Sequence, residues 1–200
     1  IKNQNFAKSE AELELARRKK AEAEQDLEEL KKTAKSLSNF LENFEKKQAA
    51  ASHKASLPED ASMPVARRSL PWPAKGRVVS RYGKEQLPSL KTWVVNEGIK
   101  IAAPRGTQVS CVGAGEVIFA GDFRTYGKVV IVDHKQGFFS IYGHLDAIGA
   151  SKGQKMLEGA PIGTVGEERL SALNDDQDRS LLYFELRVGA RAVNPQDWLR

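Results

Sequence analysis

All 16 glycines of this 200-residue chain lie beyond Pro71. There they close short apolar runs rich in Val, Ile, Tyr and Phe, which gives strand candidates at 77–80, 98–102, 108–120, 128–134, 138–144, 161–165 and 181–188. Evenly spaced strands with glycine turns and no amphipathic helix between them predict an antiparallel β-sandwich or open barrel over residues 71–200. A segment of that length suits one compact β domain.

The first 48 residues follow a different grammar, dense in Ala, Glu, Lys and Leu. With Phe6, Leu13, Leu27, Ala34 and Leu41 at a positions, the d positions are Ser9, Ala16, Ala23, Leu30, Leu37 and Phe44, broken by Lys20. The expectation is a coiled-coil helix over 1–48, the C-terminal part of a longer coil, paired with another chain or an upstream segment and on the order of 60 Å long. A solvated single helix laced by Glu–Lys pairs is the alternative. Residues 49–70 lack a period and read as a linker with a regulatory role, in which His53 is exposed. The chain is thus α plus all-β.

The net charge of +5 is spread along the chain, and Arg17-Arg18-Lys19-Lys20 is bracketed by glutamates, so there is no basic footprint for nucleic acid. The single Cys111 excludes an intrachain disulfide and sits in an apolar strand pattern, where a buried inert thiol is expected. No apolar run approaches the roughly 18 residues of a membrane helix and no signal peptide is visible. Because the chain starts at Ile1, it is expected to be a fragment whose signal sequence lies outside it. The sequence holds neither His-Glu-x-x-His nor Gly-x-Ser-x-Gly, and Asn174-Asp175-Asp176-Gln177-Asp178 lacks the Gly and closing Glu of a calcium loop.

A series of ordered pieces carries a resemblance. These are Trp72-Pro73, Arg81-Tyr82-Gly83, Asn96-Glu97-Gly98-Ile99-Lys100-Ile101-Ala102-Ala103-Pro104, Tyr126-Gly127, Tyr142-Gly143-His144-Leu145, Gly159-Ala160-Pro161-Ile162-Gly163, Leu182-Tyr183-Phe184-Glu185 and Asn194-Pro195. Together they resemble the LytM/lysostaphin-type peptidoglycan metallopeptidases over residues 71–200. In active members the resemblance implies a His-x-x-x-Asp pair of zinc ligands, which falls here on Asn96 and Lys100. The third ligand falls on Tyr183 and the catalytic imidazole on Leu181, leaving His144. A lysine ammonium repels a dication and a leucine moves no proton, so neither metal nor catalytic residues are expected, and no cofactor. His134 ends a strand with no carboxylates spaced to build another site.

The heptad helix joined to such a degenerate domain is similar to the EnvC-type murein hydrolase activators, as are Leu182 to Arg187 and Asn194-Pro195-Gln196. That resemblance implies a periplasmic, division-site protein that binds a zinc N-acetylmuramoyl-L-alanine amidase, displaces its inhibitory helix and switches on septal peptidoglycan cleavage. The partner-binding groove would be lined by Asn96, Glu97, Lys100, Tyr126, Val129, Tyr142, His144, Leu181, Tyr183 and Arg187. It further implies division-complex membrane proteins as partners of the coil, peptidoglycan as another partner, and no nucleic acid. Residues 167–179 are expected to form a mobile lip, and the helix and linker are able to fold back over the groove. Two competing functions are a zinc endopeptidase with an altered site and a division scaffold.

Overall fold

The structure, a computed structural model, describes residues 2–52, 64–87, 92–167, 180–189 and 191–200. The lip expected at 167–179 and His53 of the linker lie outside the described residues, apart from Glu167. Helix α1 spans Lys2–Ser52. No Gly or Pro precedes Pro58, so nothing stops the helix early, and i,i+4 pairs such as Arg18–Glu14 at 3.7 Å brace its exposed stretch.

Among the described residues twelve strands follow: β1 (Arg77–Ser80), β2 (Gly83–Leu87), β3 (Thr92–Asn96), β4 (Ile99–Ala102), β5 (Gln108–Ser110), β6 (Gly115–Asp122), β7 (Lys128–Asp133), β8 (Phe138–Ile148), β9 (Lys155–Met156), β10 (Pro161–Glu167), β11 (Ser180–Val188) and β12 (Arg191–Val193). Ten of them form one antiparallel sheet with the path β1-β4-β11-β10-β8-β7-β6-β9, with β12 on β11 and β5 on β10; β2 and β3 pair as a separate hairpin. The candidate at 108–120 is two strands, because Cys111–Ala114 turn between β5 and β6. The hairpin went unread because β2, Gly-Lys-Glu-Gln-Leu, has little apolar character.

The sheet has two apolar faces. Ile99, Ile101, Val117, Val130, Val132, Phe138, Tyr142, Leu145, Ile162, Leu182, Phe184 and Leu186 form the main core on one of them. The other face presents Ile118, Tyr126, Val129, Ile131, Phe139, Ile141 and Tyr183, and it packs against Leu37 and Leu41 of α1. Phe40 and Phe44 extend that contact edge-on, Phe40 against Phe119 (5.7 Å between centroids) and Phe44 against Phe139 (6.3 Å).

The C-terminal part of the heptad seam, Leu37, Leu41 and Phe44, is therefore packed against this sheet. Phe40, outside the seam, completes an i, i+3, i+4, i+7 stripe (Leu37, Phe40, Leu41, Phe44), the width that a helix needs to cover a sheet. From Glu10 to Glu22 every residue is exposed, Leu13 at 53 % and Leu15 at 55 %, so the front of the helix leaves the sheet behind.

Strand β8 pairs with β7 along one edge, and its other edge is shared by two partners. From Phe138 to Gly143 it pairs with β11, and from Leu145 to Ile148 with β10. His144 stands at the handover with φ 57°, a left-handed backbone that few non-glycine residues adopt.

Candidate functional site

Strand β11 places the site by simple alternation. Leu182, Phe184, Leu186 and Val188 enter the main core, which turns Leu181, Tyr183, Glu185 and Arg187 toward the opposite face. Lys100 of β4 is paired with Tyr183, and Gly143 of β8 flanks it on the other side. The approach is close: a Cβ on Gly98 would lie 2.5 Å from the Phe184 carbonyl oxygen and 3.0 Å from the Tyr183 ring, so only glycine lets β4 pack there.

Three rings make the centre of the site. Tyr126, from the 3-10 turn Arg124–Tyr126, stacks on Tyr183 with centroids 4.6 Å apart and planes 13° apart. His144 meets both edge-on, at 6.2 and 6.3 Å. The Tyr183 hydroxyl donates to Glu185 Oε2 at 2.7 Å. Burial and the Glu185 carboxylate both push the Tyr183 phenol well above its usual range, and the same two causes raise Tyr126.

Next to the rings lies a buried ionic group. Arg187 Nε donates to Glu185 Oε1, Nη2 to Glu97 Oε2, and Nη1 to Ser38 Oγ of α1 at 2.9 Å. Arg187 and Glu185 are fully buried, whereas the Glu97 side chain keeps 35 % exposure. Burial raises the Glu185 carboxyl, with Arg187 pulling the other way.

The donor set does not fit zinc. Asn96 spends its amide on Ser80 Oγ (2.9 Å), the Arg81 carbonyl (3.1 Å) and Glu85. Lys100 is a cation, Leu181 offers nothing, and the Tyr183 phenol is held protonated and already donates its hydrogen to Glu185. Among the described residues no group of three or more His, Cys, Asp or Glu side chains is arranged to hold a metal ion. No step through a metal can be derived for this arrangement.

Of the ten residues expected at the groove, Tyr126, Val129, His144 and Tyr183 meet on this face, with Glu97 and Arg187 in the ionic group beside them and Lys100 and Leu181 on the neighbouring strand positions, whereas the Asn96 amide is turned into the β2–β3 hairpin network. Tyr142 is the correction. It belongs to the main core on the other side of the sheet, where its oxygen accepts from Val112 N–H at 3.0 Å and lies 3.0 Å from Ser140 Oγ. Tyr142 and His144 have the same parity in sequence, but the left-handed turn of the backbone at His144 resets the alternation between them. Cys111 is buried beside Tyr142, and burial raises its thiol, as an inert core cysteine requires. His134 is held between the Ala114 carbonyl (2.8 Å) and Ser140 Oγ (2.7 Å), and burial lowers its titration. The residues that sequence reasoning missed are Glu185, Ser38 and Phe40: alternation on β11 could have placed Glu185 between Tyr183 and Arg187, but nothing local marks a serine and an off-seam phenylalanine of a long helix as partners of a distant strand.

A ten-stranded antiparallel sheet with this order of motifs defines the class of the protein. Residues 94–195 match the model of peptidase family M23, just over half of the sequence, and the chain belongs to that family. Among curated proteins it is similar to the murein hydrolase activator EnvC of Escherichia coli (strain K12), 40 % identical over 128 residues that make up 64 % of this chain and 28 % of that protein. It is also similar to the cell division protein DipM of Caulobacter vibrioides, 32 % identical over 131 residues, 62 % of this chain and 20 % of that protein. Among solved structures a zinc containing peptidase from Vibrio cholerae superimposes with a TM-score of 0.56 at 26 % identity, over 65 % of this chain and 40 % of that one. The chain thus spans less than a third of the length of either curated relative. Among the described residues no helix is long and apolar enough to cross a membrane.

Proposed function

We propose that this chain is a non-catalytic activator of zinc N-acetylmuramoyl-L-alanine amidases, which bind to the face carrying Lys100, Tyr126, Tyr183 and Arg187 and are switched on to cleave septal peptidoglycan in the periplasm. The observation that carries this is the coincidence of two features on one face. The positions that the resemblance assigns to the family's metal chemistry hold Asn96, Lys100, Leu181 and Tyr183, and Tyr183 lies on the face that α1 covers with Leu37, Phe40, Leu41 and Phe44. A face stripped of metal ligands yet rich in Tyr and Arg suits protein binding, since those side chains dominate interface energies. The names of the similar activator and division proteins support a role in controlling wall hydrolysis.

In this proposal the described arrangement is the resting state. An amidase helix and α1 compete for one surface, and the exposed front of α1, with Leu13 and Leu15, is where division-complex membrane proteins pull it away. Dye release from labelled sacculi tests the proposal. The full chain mixed with an amidase is expected to stimulate weakly, and Leu37→Ala/Leu41→Ala several-fold more strongly. Metal-dependent release by the chain alone would make it a peptidase instead, and equal, unstimulated release with both proteins would leave it a scaffold.

A further inference from the structure

The polar centre of the α1–sheet interface is one guanidinium clamped by two carboxylates. Glu185 takes Nε of Arg187 and Glu97 takes Nη2, so the formal charge of the group is already negative before the helix arrives. The helix brings no charge to it. Ser38 accepts from Nη1 at 2.9 Å, and its own hydroxyl donates to the Ala34 carbonyl at 3.2 Å, which turns an oxygen lone pair toward the guanidinium. Leu37 and Leu41 on either side and Arg187 itself are fully buried, while Ser38 and Glu97 are half-buried, so the contact lies at the inner edge of the interface.

An arginine usually attracts acids, and a carboxylate at position 38 would look like an improvement. Here it would add a third anion to a buried group that holds one cation, and lose its hydration on entering. A neutral acceptor meets the N–H without either cost. We infer that this face selects, in any helix seated on it, the pattern apolar-hydroxyl-x-apolar-apolar-x-x-apolar, as in Leu37-Ser38-Asn39-Phe40-Leu41-Glu42-Asn43-Phe44, and rejects a carboxylate at the hydroxyl position. For α1 the inference stands on the contacts alone. For a partner helix it rests on the proposed function, and it gives the recognition element of that partner: a small neutral acceptor inside an apolar stripe.

The test uses the full chain with Ser38→Thr, Ser38→Asn, Ser38→Ala and Ser38→Asp, and with Ser36→Asp as a control for the cost of an aspartate in the same helix. Amide hydrogen exchange over residues 34–47 at neutral pH reads how often α1 lifts from the sheet, and the melting temperature shows that each variant is folded. Thr and Asn are expected within about threefold of the native protection, Ala about fivefold to tenfold less protected, and Asp less protected than Ala and than the Ser36→Asp control. Protection in the Ser38→Asp variant equal to that of Ser38→Asn or of the native chain would overturn the inference, as would native protection in the Ser38→Ala variant. In a second arm a labelled peptide of residues 30–47, native or carrying Ser38→Asp, is added to the full chain carrying Leu41→Ala, and only the native peptide is expected to bind; equal binding also overturns it. Neither arm contains an amidase, so a chain that passes both yet stimulates no amidase would refute the proposed function and leave the selectivity standing.

Discussion

A phenol in place of an imidazole changes what the centre of the site can do. Tyr183 gives its hydrogen to Glu185, and Glu185 also holds Arg187, so the atoms that would have faced a metal face one another. Added zinc is therefore expected to leave the melting temperature unchanged, whereas a ligand at one hundred times its Kd would stabilise the fold by about 2.7 kcal/mol. Arg187→Ala strands a fully buried glutamate, and chemical denaturation should show a loss of about 3–5 kcal/mol. At this scale the sequence was informative where one strand carried the whole signal, as in Leu181, Tyr183 and Arg187. It misled at Tyr142, because a backbone torsion at His144 decides which face a side chain takes and no residue type announces it.

Helix α1 was legible as a helix able to fold back over the groove, but the residues that make the contact were not legible. Its freedom from Gly and Pro announces the element, but the width of its apolar face turns on Phe40, which the heptad count passes over. The C-terminal turns carry most of the docking, so Leu41→Ala should cost about 2–4 kcal/mol of docking free energy. Exchange at 34–47 is expected to speed up while the strands β7, β8 and β11 keep their protection.

One further side chain tunes the element. Glu45 lies against the β11–β12 turn, both of its oxygens 3.6 Å from where a Gly189 Cβ would sit, and Oε1 is buried without a hydrogen-bond partner among the described residues. Burial raises its carboxyl first, and Asp133, which is bound to Lys135, and Glu42 add to the rise. Because the docked form holds the proton more tightly than the free helix, this contribution is complete below the ordinary glutamate range. It is lost as pH climbs through the raised value. Docking should therefore weaken from acid toward neutral pH, and Glu45→Gln should flatten that dependence and leave α1 better protected at pH 7.

For the whole molecule, the antiparallel β domain and its family could be read from motif order. The contacts of the second layer could not, since a helix on the outside of the sheet depends on residues more than a hundred positions apart, such as Ser38 and Arg187. The helix and the sheet belong to one polypeptide, and this sets a threshold for anything that arrives from outside. A short tether gives its own helix an effective concentration in the millimolar range, while a separate partner at micromolar level starts about a thousandfold behind. A free helix of equal affinity would hardly ever gain the surface. The covalent link thus acts as a filter on timing: adding more partner does little, and loosening the tethered helix by a few kcal/mol does much.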